Sequence, residues 1–205
     1  NEESKSMAFG QLADVFMRES VVPELDAYRF AKYSTAQTLV KADITVGTTD
    51  CVGLIDAAEM QMAEDEVPEE GRILYVSPKM YAGIKAKVTR YLANENGVNR
   101  EIIKFNNMPV IVVPQSRFNT AITLNDGTSA FGFAPTAGGY KINFMIVHPS
   151  AVKNVIKAQI PKIFSPDENQ KKDAWALQYR LYHDAFIWDN KAKGVYTHTA
   201  STANS

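Results

Sequence analysis

Few residues in this chain have the types and spacing that chemistry requires. The 205 residues include one cysteine, Cys51, and three histidines, His148, His183 and His198. One cysteine excludes an intramolecular disulfide and a cysteine-built zinc cage. No two histidines sit at the helical spacing that holds a metal, so no metal site is expected. His183 adjoins Asp184, but neighbours on a strand point to opposite faces and make no dyad. His148 precedes Pro149 and reads as a cap. Cys51, between Asp50 and Val52, reads as a small buried residue with no base to activate it. Phosphate-loop, dinucleotide and Gly-x-Ser-x-Gly patterns do not occur. No catalytic or cofactor-binding residue is assigned. An enzyme would need polar groups converging on His148 or His183.

Charge lies in runs. Glu64 to Glu70 holds five acids around Val67-Pro68. This is either a solvated loop or a contact for a basic patch on a neighbouring copy. Lys85, Lys87 and Arg90 form one basic group, and Lys153, Lys157 and Lys162 another. Both read as solvated helix faces, or as patches facing another subunit or nucleic acid, since phosphate contacts leave no motif. Overall, 22 basic residues meet 23 acidic ones, for a net charge of −1. That is too neutral to bind nucleic acid with the whole surface. With 45% hydrophobic and 22% charged residues, global disorder is excluded. No apolar run approaches the ~20 residues of a membrane span, so no membrane partner is expected. The chain begins at Asn1, as expected of a processed product or part of something longer.

The elements that would position these residues point to an elongated α+β body. At 22.7 kDa, a compact monomer keeps about 9,500 Å² of accessible surface. Phe9, Leu12 and Phe16, then Val21, Leu25 and Tyr28, form one stripe at helical period. Pro23 predicts a kink or restart near Val22. Asp50 caps a helix carrying Leu54, Ile55, Ala58 and Met62. Ile73 to Val76 is a short strand, followed by Ser77-Pro78 opening a helix. Phe144 to Val147, His148-Pro149, then Val152, Val155 and Ile156 read as a second unit of that kind. Hairpins are expected around Asn106-Asn107, and around Asn125-Asp126-Gly127 between 121–124 and 129–133. Thr136 to Gly139 reads as an exposed loop. Ala174 to Trp188 alternates, with Leu177, Tyr179, Leu181, His183, Ala185 and Ile187 on one face. Such a strand would be about 50 Å long. A turn at Asp189 to Lys193 and a partner strand, Gly194 to Thr199, would close a long terminal hairpin.

Several segments together resemble a known family. Val22-Pro-Glu-Leu-Asp-Ala-Tyr-Arg-Phe-Ala-Lys32 is similar to a motif in major capsid proteins of tailed bacteriophages and prophages. So are Glu66-Val-Pro-Glu-Glu-Gly-Arg-Ile-Leu-Tyr-Val-Ser-Pro78 and Ile142-Asn-Phe-Met-Ile-Val-His-Pro-Ser-Ala-Val152. Ile163-Phe-Ser-Pro-Asp167 and Tyr179-Arg-Leu-Tyr-His-Asp-Ala-Phe186 complete the set, in the family's order. The resemblance implies a Hong Kong 97-type capsid fold with a long spine helix, a long terminal β-hairpin and a mixed α/β axial domain. It places residues 1–50 in the peripheral domain with the spine helix, 51–160 in the axial domain, and 161–205 in the peripheral long strands. The family's N-terminal arm and extended loop have no counterpart here.

By the same resemblance the chain is a structural, non-enzymatic subunit. It would assemble with copies of itself, as pentamers and hexamers, into an icosahedral shell around double-stranded DNA. Scaffold, portal and head protease would be further partners, and packaged DNA a non-specific one. Its place would be the virion capsid, assembled in the bacterial host cytoplasm. An encapsulin-like compartment shell shares the fold and is the alternative. Expected subunit contacts are Glu69 and Glu70 in the acidic run, Thr136, Gly138 and Gly139, and Asp189, Asn190 and Lys191 at the hairpin tip.

Overall fold

The computed structural model describes residues 2–95, 98–128, 130–169 and 174–204. The chain opens with α1 (Glu2–Phe16), a π-helical turn (Met17–Val21) and α2 (Val22–Tyr33). Pro23 accounts for the π turn. A proline has no N–H, and its ring clashes with the carbonyl four residues back. Here the turn before it is widened, with the Val22 N–H bonded to the Met17 carbonyl. The restart expected near Val22 is thus a change of pitch within one rod, about 48 Å long. Its two halves are covered unequally. α2 buries Ala27, Phe30 and Tyr33, whereas Leu12 on α1 stays 62% exposed.

The local signals of the next segment hold. The Asp50 carboxylate accepts from the Gly53 N–H at 3.0 Å and starts α3 (Cys51–Glu64). Its buried stripe is Cys51, Ile55, Ala58 and Met62, with Leu54 at the margin. β2 (Ile73–Val76) leads through Ser77 into α4 (Pro78–Ile84), and the Ser77 hydroxyl accepts from the Met80 N–H at 3.2 Å. Gly83 lets α4 approach α3, because a Cβ there would collide with Cys51 Sγ. Cys51 is the small buried residue its context predicted.

A seven-stranded mixed sheet forms the body. Its order is β1 (Val40–Lys41), β11 (Val195–Ala203), β8 (Tyr140–Val147), β2, β5 (Met108–Val112), β4 (Val98–Phe105) and β3 (Thr89–Glu95). β8 runs antiparallel to both β11 and β2. Phe144 and Ile146 pack with Ile55, Met62 and Met80 on one face. Met145 and Val147 pack with Phe30, Tyr33 and Phe118 on the other. A strand buried on both faces reads as an unbroken apolar run, which is what residues 144–147 show. The β4–β5 turn is the expected Asn106-Asn107, with φ of 43° and 65°, the left-handed pair of a type I′ turn.

Three expectations are corrected. Only a 3-10 turn (Pro149–Ala151) follows His148, and Val152–Phe164 is then a strand, β9, not a helix. The lysines at 153, 157 and 162 therefore lie on a strand. β10 (Ala176–Ile187) pairs antiparallel with β9, from Val152↔Ile187 to Phe164↔Ala176. The last strand, β11, instead enters the body beside β8, where Thr197, His198 and Thr199 are buried. The long hairpin is thus β9–β10, and Asp189–Gly194 is a 3-10 crossover between two sheets rather than a hairpin tip. The second hairpin pairs β6 (Ile122–Leu124) with β7 (Phe133–Pro135), which shares only Phe133 with the expected strand 129–133. There the Asp126 carboxylate turns back to the Thr128 N–H, making a local bend in a longer loop. Ser129 lies outside the described residues.

The accessible surface is 13,042 Å², against about 9,500 Å² for a compact chain of this mass. The elongated shape follows from the rod and the two-stranded ribbon.

Candidate functional site

The residues able to do chemistry are spent on structure. The His148 Nδ1 accepts from the Ser150 N–H at 3.3 Å, and its Nε2 lies 3.1 Å from the Glu70 carbonyl. That ring caps the 3-10 turn and holds the acidic loop. His183 meets the Tyr28 ring edge-on, with centroids 5.0 Å apart. The Tyr28 hydroxyl donates to Asp184 at 2.7 Å. The neighbours His183 and Asp184 thus both grip Tyr28 and fasten α2 to β10. Burial and the adjacent Asp184 push the Tyr28 hydroxyl up to about 12, so it stays a donor. The hydrogen bond from Tyr28 in turn lowers Asp184. Burial, then Arg29, holds His183 below the ordinary imidazole range.

His198 is 1% exposed, and its ring stacks on Phe144. The Asn143 amide donates to its Nδ1 at 3.2 Å, which leaves its Nε2 without a partner among the described residues. Burial drives its pKa down to about 4. Burial, then Asp50, also raises the Cys51 thiol, opposite to the shift that would activate it. Among the described residues no cluster of three or more His, Cys, Asp or Glu could hold a metal ion.

What remains is surface. Glu69 and Glu70 join Asp56, Glu59 and Arg72 around a 660 Å³ concavity between α3 and the β4–β5 turn. Asn106 donates to both Asp56 and Glu59 there. Burial raises the Glu59 carboxyl above its ordinary range. Arg72 is turned inward, donating to the carbonyls of Pro68 and Val67. Asn190 and Lys191 lie beside the other end of the acidic loop, around a 240 Å³ cavity that Asp65, Glu66 and Lys193 share. Lys193 pairs with Asp65 at 2.7 Å, which raises the lysine and lowers the carboxylate. Among the described residues, the acidic run thus pairs with Lys193 of its own chain. Asp189 is exposed at the start of that crossover.

Thr136, Gly138 and Gly139 belong to a separate group. The Gly138 N–H donates to the Asn204 carbonyl, and the Asn204 N–H to the Gly139 carbonyl. Gly138 is exposed, but Gly139 is buried, so this loop is pinned rather than free.

Two features went unrecognised in the sequence. The first is the exposure of β9, whose Ile156, Ile160 and Ile163 are 48%, 40% and 52% exposed. Its lysines were visible, but helical spacing hid the strand. The second is a 740 Å³ groove beside β10. Phe16, Val21 and Leu25 of the helical rod, Phe131 and Phe133, and Tyr179 and Leu181 of β10 line it, and Glu19 and Glu24 edge it. No spacing rule joins those segments.

No protein-family model and no curated protein matches the chain. Solved structures do. A structure from Mycobacterium phage Che8 is 14% identical, with a TM-score of 0.45, over 96% of this chain and 61% of its own. The capsid structure of the cyanophage P-SCSP1u is 13% identical, with a TM-score of 0.56, over 93% of this chain and 65% of its own. The chain has a phage capsid protein fold. It spans less than two thirds of either of these chains. Within this capsid fold, the surfaces above are the candidates for function.

Proposed function

We propose that the chain is a structural subunit of a phage head, a Hong Kong 97-type major capsid protein that tiles with copies of itself into a closed shell around double-stranded DNA. In this reading it performs no reaction, and it belongs to the virion after assembly in the host cytoplasm. Scaffold, portal and head protease are its partners during assembly. The α1–α2 rod is the spine, the seven-stranded body is the axial domain, and the β9–β10 ribbon belongs to the peripheral domain. Glu69, Glu70, Thr136, Gly138, Gly139, Asp189, Asn190 and Lys191 are proposed contact residues.

The observation that carries this is the likeness to a cyanophage capsid over 93% of the chain. The apolar surface supports it. Leu12, Ile163, Tyr182 and Phe186 are all more than half exposed. In this reading, contacts between copies would cover such side chains on the rod and the ribbon. Heterologous contacts between copies close into rings and shells. The test is electron microscopy of the full-length gene product expressed alone. Hollow closed shells are expected, and subunits that stay single at all concentrations contradict the reading.

A further inference from the structure

We infer that the free edge of β9 in one copy docks into the acidic, aromatic groove beside β10 of the next, with Lys157 set against Glu19 and Glu24. This rests on the shell reading and names one of its contacts. The groove takes its strand residues, Tyr179, Leu181 and His183, from one face of β10, so it opens over that face of the ribbon, whereas the β9 edge is the ribbon's unpaired backbone margin. A single copy therefore presents the edge and the groove as two different surfaces. Such a contact is heterologous and repeats head to tail, as a ring requires.

The chemistry of the two surfaces is complementary. Glu19 and Glu24 have no cation within 4 Å among the described residues, and Lys153, Lys157 and Lys162 have no carboxylate. Lys157 faces no residue across the ribbon, because Tyr182 pairs with Ala158 and His183 with Ile156. It sits in a bulge, with exposed Ile156 and Ile160 on either side. The groove offers those two isoleucines apolar walls from Phe16, Leu25 and Phe133. Backbone pairing along the edge is blocked. Bulges, lysines and prolines blunt strand edges, and β9 has its bulge at 157 and a proline at 161. Side-chain docking is what remains. An isolated two-stranded ribbon is also only marginally stable in water, so a cover adds order where the fold lacks it.

The test uses the full chain and three proteins: wild type, Lys157→Glu, and the double variant Glu19→Lys with Glu24→Lys. Lys157 and Glu19 are exposed and Glu24 is half-buried at the groove edge, so circular dichroism should report an unchanged fold. Association is followed by sedimentation velocity and light scattering. Each variant alone should need at least about tenfold more protein to associate, because like charges then face each other. Mixing the two variants in equal amounts should restore association of alternating copies, because each edge then meets a groove of opposite charge. If the wild type assembles and the folded variants assemble equally well, the docking is overturned while the shell reading stands. Loss of assembly in each variant without rescue on mixing also overturns it. A wild type that never associates overturns both.

Discussion

The seven-stranded body and the β9–β10 ribbon are built from similar residues and end in opposite states. In the body, Ile55, Leu74, Met80, Ile84, Phe144 and Ile146 are all fully buried. In the ribbon, Val155, Ile156, Ile160 and Ile163 are 39–52% exposed. The body has a layer against each face of its central strand. The ribbon is packed at its base, where Val152, Ala185 and Ile187 join the cluster of Phe30 and Val147, and is tied to α2 by Tyr28 to Asp184 and by Tyr33 to Asn154 at 2.6 Å, while most of β9 stays exposed. The body completes its own core, whereas the ribbon exposes apolar surface that its own described residues leave uncovered. Apolar residues stabilise the fold in the first case and are available for association in the second.

The sharpest way to break this comparison is truncation. Leu74→Ala or Met62→Ala should lower the unfolding free energy by about 2–5 kcal/mol, as buried large-to-small changes do. Ile160→Ala and Ile163→Ala should change it by less than about 0.5 kcal/mol in the isolated subunit. Urea denaturation of each variant checks both. Comparable losses in the two regions would erase the distinction.

A smaller effect depends on pH and is read at His198 in the body, although burial lowers His183 of the ribbon in the same direction. His198 is held neutral, with its pKa at about 4 against an ordinary 6.5. Below pH 6.5 the unfolded chain takes a proton that the folded chain refuses, so stability falls as pH drops from about 6.5 to 4. The loss is at most about 3 kcal/mol. Denaturation at pH 7.5 and 4.5 should show this slope in the wild type and a flatter one in His198→Gln. Equal slopes would mean that His198 does not titrate in this way.

Elements governed by local chemistry were legible in the sequence. Asp50 and Ser77 announced their helices through caps, and Asn106-Asn107 its turn through two residues that tolerate positive φ. β10 showed its faces because one is covered and the other is not. β9 was not legible for the complementary reason: a strand exposed on both faces has no alternation, and Lys153, Lys157 and Lys162 imitate a helical face. The partner of β10 was hidden too. β11 buries Thr197, His198 and Thr199 rather than an apolar stripe, so its place inside the body left no hydrophobic signature. The candidate contacts were legible only as charge runs and small-residue loops. A surface completed by another copy imposes no period on its own chain, and a groove assembled from three distant segments imposes none either.

The central claim is that the ribbon is completed from outside and the body from within. Hydrogen exchange on the full-length protein, compared between single subunits and assembled particles, tests it most directly. Amides of β9 and β10 should exchange readily in the single subunit and become protected on assembly, while β2 and β8 stay protected in both states. Equal protection of ribbon and body before assembly, or a ribbon unchanged by it, would contradict the account.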